Sequence, residues 1–117
     1  MLVEDNQAVR ELAQETLEKL GCQVSVAVNG REAVDQVKHH RFDLILMDCQ
    51  MPVMNGFEAT NAIRAVESGR QPTPIVALTA AVMADERQAC IDAGMDDVLP
   101  KPYSRRKLRA MLERWIG

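Results

Sequence analysis

The run Leu44-Ile45-Leu46-Met47 ends abruptly in Asp48, and Cys49-Gln50-Met51-Pro52 follows. Four consecutive apolar residues bounded by a proline-marked turn read as a strand buried on both faces, the kind found in parallel sheets. An acid at the end of such a strand lies where the chain emerges at the sheet edge. That position makes Asp48 a candidate nucleophile and gives the rest of the chain a centre to be organised around.

Taken in order, the chain alternates between two periods. Met1-Leu2-Val3 is a short apolar run followed by Glu4-Asp5-Asn6. It is shorter than an ordinary strand of about five or six residues, so further residues are expected ahead of Met1, with residues 1–117 forming one domain excised from a longer chain. Asn6 or Asp5 can cap a helix whose apolar positions are Val9, Leu12, Ala13, Leu17 and Leu20, stopped by Gly21. Val24, Val26 and Val28 alternate as a second strand. Asn29-Gly30 turns into a helix carrying Ala33, Val34 and Val37, which ends near His39 and His40. The third strand covers about residues 43–47. Asn55-Gly56 opens a third helix with Ala59, Ala62, Ile63 and Val66 inward. A fourth strand covers residues 75–78 and a fourth helix about residues 84–93, closed by Gly94. Val98-Leu99 is the fifth strand. Ser104 caps a fifth helix striped by Leu108, Met111, Leu112 and Trp115. This alternation predicts an α/β fold, a parallel sheet with helices on both faces. Right-handed crossovers leave few topologies, and five strands of this size suit the flavodoxin-like, doubly wound order 2-1-3-4-5 with five helices.

Composition narrows the function classes. A net charge of −3 and 3% aromatic residues argue against a nucleic-acid surface on this domain. The longest apolar stretch, residues 75–84, is interrupted by Thr79 and too short to span a bilayer, and no leader-like apolar segment follows the N-terminus. A cytoplasmic domain without direct membrane contact is expected, whose parent chain could still be anchored in an inner membrane. Cys22, Cys49 and Cys90 are isolated, odd in number and lack metal-site spacing, so reduced core thiols are expected.

The chemistry sits at the strand ends. The first strand ends in Glu4-Asp5, the third in Asp48, the fourth in Thr79 and the fifth in Pro100-Lys101-Pro102. Open parallel sheets bind ligands outside the carboxyl ends of their strands, where strand order reverses. In the order above that point lies between strands 1 and 3, so Glu4, Asp5 and Asp48 should converge there beside Thr79 and Lys101. Three close carboxylates hold protons unless a cation intervenes. Oxygen ligands with open positions suit Mg²⁺, with Mn²⁺ as an alternative. Metal, ammonium and hydroxyl around one carboxylate are what phosphoryl transfer needs, and aspartate carboxylates do form acyl phosphates. Each residue alone is a weak signal: a single Asp or Thr at a strand end is usually a turn or cap residue.

Four blocks carry a resemblance across essentially the whole chain: Leu2-Val3-Glu4-Asp5-Asn6; Leu46-Met47-Asp48-Cys49-Gln50-Met51-Pro52-Val53-Met54-Asn55-Gly56; Ala77-Leu78-Thr79-Ala80; and Gly94-Met95-Asp96-Asp97-Val98-Leu99-Pro100-Lys101-Pro102. Together they resemble the receiver domain of two-component response regulators, in style closest to receivers of hybrid sensor histidine kinases. The order 2-1-3-4-5 is a property of that family, which the strand pattern alone does not settle. The resemblance implies a phosphorelay: Asp48 accepts a phosphoryl group from a phosphohistidine on a histidine kinase or histidine phosphotransfer partner. Glu4, Asp5, Asp48 and the backbone carbonyl of Gln50 hold Mg²⁺, directly or through water. Thr79 and Lys101 bind the phosphoryl oxygens, and Lys101-Pro102 is a cis peptide. It further implies self-phosphorylation and dephosphorylation, a kinase as parent, and allows a homodimer through helix 4, strand 5 and helix 5.

One position departs from the family pattern. Three residues before the lysine, where many receivers carry an aromatic that rotates inward on activation, this chain has Val98, and Tyr103 lies on the wrong side of Lys101 to replace it. Gln50 and Ala81 occupy positions thought to tune phosphate lifetime. The alternative to a hybrid-kinase receiver is a stand-alone or effector-linked regulator acting by phosphorylation-dependent binding. An aspartyl-phosphate phosphohydrolase ranks lower, because that chemistry places a second Asp where Gln50 stands. A degenerate receiver ranks low as well, because every acidic position is filled. His39-His40 reads as a pair complementing a helix dipole, Met51, Met54, Met83 and Met95 as packing, and Arg105-Arg106-Lys107 as a solvated face, with an acidic partner as its rival.

Overall fold

The computed structural model describes residues 1–49, 51, 53–79, 84–101 and 103–116. Its elements run β1 (Leu2–Val3), α1 (Gln7–Lys19), β2 (Val26–Ala27), α2 (Gly30–His39), β3 (Ile45–Asp48), α3 (Gly56–Val66), β4 (Ile75–Thr79), α4 (Ala84–Asp92), β5 (Asp97–Pro100) and α5 (Arg105–Trp115). The strands form one parallel sheet of five in the order β2-β1-β3-β4-β5. The expected fold class and strand order therefore hold.

The two-residue period of the strands sorts their side chains between two cores. Val3, Ile45, Met47, Ile75, Ala77 and Val98 face α2, α3 and α4, where they meet Ala33, Val37, Ala59, Ile63 and Cys90. Leu2, Leu46, Val76, Leu78 and Leu99 face the other way, against Ala13 and Leu17 of α1 and Leu108 of α5. Continuous apolar strands are needed because both faces are covered. β3 is buried throughout, Asp48 included.

The helix ends follow local chemistry. The side chains of Asn6, Asn29, Asn55 and Ser104 accept hydrogen bonds from the backbone N–H groups of Val9, Glu32, Glu58 and Lys107, satisfying donors that a helix start leaves unpaired. Gly21 and Gly94, after α1 and α4, take φ of +94° and +104°, a region that favours glycine. The apolar stripe of α1 is narrower than its sequence suggests. Ala13 and Leu17 are buried, whereas Val9 and Leu12 are exposed. Periodicity marks apolar positions, but the width of the buried stripe depends on how closely the helix lies on the sheet. Met51 and Met54 pack against the α2–α3 core and Met95 is buried within it, as packing residues. His39, His40, Arg105, Arg106 and Lys107 are exposed. No helix among the described residues is long and apolar enough to cross a membrane.

Candidate functional site

The carboxyl edge of the sheet carries a cleft of about 260 Å³ lined by Glu4, Asp5, Asn6, Val9, Asp48, Thr79 and Lys101. Two larger hollows, about 600 and 550 Å³, lie at the opposite edge around residues such as Phe42, Asp43 and Ile116. Charged residues such as Arg41, Asp43, Glu67 and Arg70 line them too, but among the described residues three carboxylates come together at the smaller cleft alone, so the chemistry belongs there. The structure thus brings Glu4, Asp5, Asp48, Thr79 and Lys101 to one place from four strand ends.

Each side chain is placed by the element that precedes it. β1 delivers Glu4 inward and Asp5 outward: Glu4 is 1% exposed, whereas Asp5 faces solvent. Arg10, one turn into α1, donates from Nη1 to the carbonyls of Glu4 at 3.0 Å and Asp5 at 3.4 Å, which pins the peptide carrying both acids. Asp48 ends β3 at 4% exposure. The turn after it is fixed because Cys49 N–H donates to the Leu78 carbonyl (3.1 Å) while the Cys49 carbonyl accepts from Gly56 N–H (3.1 Å). A Cβ on Gly56 would stand 2.5 Å from the Asp48 carbonyl oxygen and 2.9 Å from the Cys49 Cα. Glycine is therefore required there for α3 to approach the end of β3, whereas the sequence showed that residue merely as part of the Asn55-Gly56 pair that opens the third helix.

Lys101 bridges the acids, with Nζ 3.2 Å from Asp48 Oδ1 and 3.3 Å from Glu4 Oε1. Burial pushes its ammonium pKa down, but Asp48 and then Glu4 outweigh that and the net shift is upward. Glu4 is pushed up to about 8, by burial first and then by the adjacent Asp48 carboxylate, with Lys101 pulling the other way. One carboxylate oxygen each from Glu4, Asp5 and Asp48 lies within 4.8 Å of the other two. Glu4 Oε2 is buried and lacks a hydrogen-bond partner among the described residues. An orphaned buried carboxylate oxygen beside two further carboxylates fits a hard cation with oxygen ligands, so the residues present suit a divalent metal.

Several expectations stand differently. The Gln50 carbonyl as a metal ligand, the Lys101-Pro102 peptide, and the positions of Ala81 and Met83 lie outside the described residues. Val98 is buried in the α2–α4 core, paired in register with Ala77. Tyr103 packs instead on the α1–α5 side with its hydroxyl buried and lacking a partner among the described residues. Burial, then Glu4 and Asp48, push that hydroxyl up to about 12. Sequence reasoning missed Asn6 and Val9 as cleft residues, since the first reads as a cap and the second as core. It also missed Arg64 of α3, which donates from Nη2 to the Gly94 carbonyl and Asp96 (2.8 and 2.9 Å) and from Nη1 to Glu67 and the Thr73 carbonyl (both 2.8 Å). A mid-helix arginine carries no signal of such a role.

Residues 1–113 match the family described as the response regulator receiver domain. The chain is 46% identical over 119 residues to the sensor protein GacS of Pseudomonas syringae pv. syringae, an alignment covering 100% of this chain and 13% of that protein. The receiver domain of sensor histidine kinase PA1611 from Pseudomonas aeruginosa PAO1, solved with a magnesium ion coordinated in its active site cleft, shares 45% identity. Its TM-score is 0.90 over 99% of this chain and 94% of that one. The receiver domain of the Saccharomyces cerevisiae response regulator Ssk1, solved with the histidine phosphotransfer protein Ypd1, shares 32% identity, with a TM-score of 0.92 over 97% and 85% of the two chains.

Proposed function

The chain belongs to the response regulator receiver domain family, and from that premise we propose that Asp48 accepts a phosphoryl group from a phosphohistidine on a partner protein. The observation that carries this is the convergence of Glu4, Asp5 and Asp48 within 4.8 Å, with Lys101 bridging two of them at the floor of one cleft. An oxygen of Asp48 attacks phosphorus in line, the nitrogen–phosphorus bond breaks, and the histidine nitrogen leaves with its electron pair. Lys101, already drawn to Asp48, turns to the incoming phosphoryl oxygens, and the Thr79 hydroxyl donates to another. Glu4, Asp5 and Asp48 would hold Mg²⁺, with the Gln50 carbonyl as the fourth ligand that family membership suggests. When bound, the ion neutralises charge on the moving group.

The 46% identity to GacS, a protein of which this chain spans 13%, supports a receiver embedded in a hybrid sensor histidine kinase. Residues 1–117 then form one phosphoacceptor domain that exchanges phosphate with a kinase or histidine phosphotransfer partner. A stand-alone or effector-linked regulator is the second reading, and the length of the native gene product separates the two.

Incubation with acetyl phosphate and Mg²⁺ should add one phosphoryl group to the chain by intact mass. Chelation should abolish the addition, and Asp48→Asn should lose it. Equal labelling of Asp48→Asn overturns the assignment.

Proton and metal compete for Glu4, which gives a second test. Its carboxyl pKa is raised from 4.5 to about 8, so the metal-free folded state holds a proton that the unfolded state releases. Metal-free stability should therefore fall as pH rises from about 4.5 towards about 8. Saturating Mg²⁺ should remove the Glu4 slope. Thermal midpoints across this range with and without Mg²⁺ measure the difference, and identical slopes would contradict Glu4 as a metal ligand.

A further inference from the structure

Cys49 and Cys90 are 41 residues apart in sequence, yet their Sγ atoms lie 3.9 Å from each other. Both are buried, at 4% and 1% exposure. Cys49 follows Asp48 directly, and its peptide is held by Leu78 on one side and Gly56 on the other. Cys90 belongs to α4. Among the described side chains of that helix it is the buried one; Asp85, Arg87, Gln88, Ala89, Ile91 and Asp92 are exposed. The third thiol, Cys22, is half-buried on the opposite side of the sheet.

We propose that Cys49 and Cys90 are a modification site, at which a peroxide-class oxidant forms an intramolecular disulfide that pins α4 to the end of β3. A disulfide needs sulfurs at about 2.05 Å. The remaining gap is the size that side-chain rotation and a small shift of a helix with one described anchor can close. One thiol loses its proton and its sulfur attacks a peroxide oxygen. The oxygen–oxygen bond breaks, a sulfenic acid forms, and the departing hydroxide takes up the proton as water. The second sulfur then attacks the sulfenic sulfur. The sulfur–oxygen bond breaks, the sulfur–sulfur bond forms, and the hydroxide leaves with the second thiol proton as another water. Two thiols are oxidised by two electrons in total and one peroxide is reduced to two waters.

Burial sets the tempo. Cys49 and Cys90 are both buried, so the closed form keeps a peroxide away from either sulfur. The reaction therefore runs through local opening of α4, whose described side chains other than Cys90 are exposed. The site is independent of phosphoryl transfer, and its test makes no use of that activity.

The 117-residue chain, treated with hydrogen peroxide at protein concentrations low enough to suppress dimers, should lose two hydrogens by intact mass. Alkylation after denaturation and peptide mapping should place the linkage between Cys49 and Cys90, in the native chain and in Cys22→Ser alike. Amide exchange along α4 in the oxidised chain should slow by at least about tenfold. Thiols at Cys49 and Cys90 that remain fully alkylatable once Cys22 is oxidised would overturn the proposal, as would linkages that all involve Cys22.

Discussion

Two helices follow the central strands that carry site residues, and they are held in different ways. α3, after β3, buries Gly56, Ala59, Thr60 and Ile63 and starts from a capping box in which Asn55 and Glu58 satisfy each other's backbone N–H groups. Its far end is clamped by Arg64 to Gly94, Asp96 and Thr73, and Asp96 in turn accepts from Ile75 N–H at 2.8 Å. α4, after β4, places Cys90 in the core and leaves the rest of its described side chains to solvent. A helix tied at both ends and along one face fixes the turn that presents Asp48. A helix with one buried side chain among those described, tied beyond that by Arg64 at its Gly94 end, has less packing to lose when it shifts. The contrast places α3 in the frame of the cleft and α4 among its less firmly packed neighbours.

The sharpest way to break that contrast is the same substitution in both helices. Ile63 is 0% exposed and Ile91 is 48% exposed. Ile63→Ala should cost about 2–5 kcal/mol, from lost burial plus the cavity left behind. Ile91→Ala should stay within about 0.5 kcal/mol. Denaturant unfolding of both variants measures the difference. Similar losses would mean that α4 is anchored by more than its exposure shows.

Next in size is Gly56→Ala. The added methyl would stand 2.5 Å from the Asp48 carbonyl oxygen, a backbone atom unable to rotate away. Either α3 retreats or the end of β3 shifts, at a cost of about 1–3 kcal/mol, and the shift should slow labelling of Asp48 by acetyl phosphate as well. At Gly69, by contrast, nothing lies within 4 Å of an added Cβ, so any cost of Gly69→Ala comes from its φ of +84° alone and leaves labelling unchanged. A Gly56→Ala variant with native stability and labelling would remove the close approach from the account of the site.

What the sequence made legible was what depends on local pattern. The apolar run of β3, the strand–helix alternation and the polar residue after each strand are all read along the chain, and they sufficed to assemble Glu4, Asp5, Asp48, Thr79 and Lys101. Strand order and individual roles came from family resemblance, because period alone does not choose neighbours in a sheet. The remainder depends on approach in space. Glu4 and Asp5 look alike in sequence, yet one is buried and the other exposed, because successive residues of an extended chain point to opposite sides. Gly56, Arg64 and the Cys49–Cys90 contact were illegible for the same reason: each draws its role from a partner brought close by the folded sheet. Val9 and Leu12 were misplaced because apolar spacing sets the direction of a helix face but not its width.

The smallest effect tests which part of α3 does the holding. Asn55 Oδ1 accepts from Glu58 N–H at 2.9 Å, and Glu58 Oε1 accepts from Asn55 N–H at 3.3 Å. Asn55→Ala should cost about 1 kcal/mol, since it orphans one donor at the helix start. Glu58→Ala should cost less, because its longer bond is exposed to water that can replace it. In a double-mutant cycle the two losses should be close to additive, because each side chain bonds the other residue's backbone N–H and alanine leaves that N–H in place. Labelling of Asp48 should be unaffected in all three variants, because burial of Ile63 and the fit at Gly56 keep the helix in place after its first turn frays. Should Asn55→Ala cost more than Ile63→Ala, the hold of α3 on the cleft resides in its cap rather than its core, and the contrast with α4 must be redrawn around helix ends.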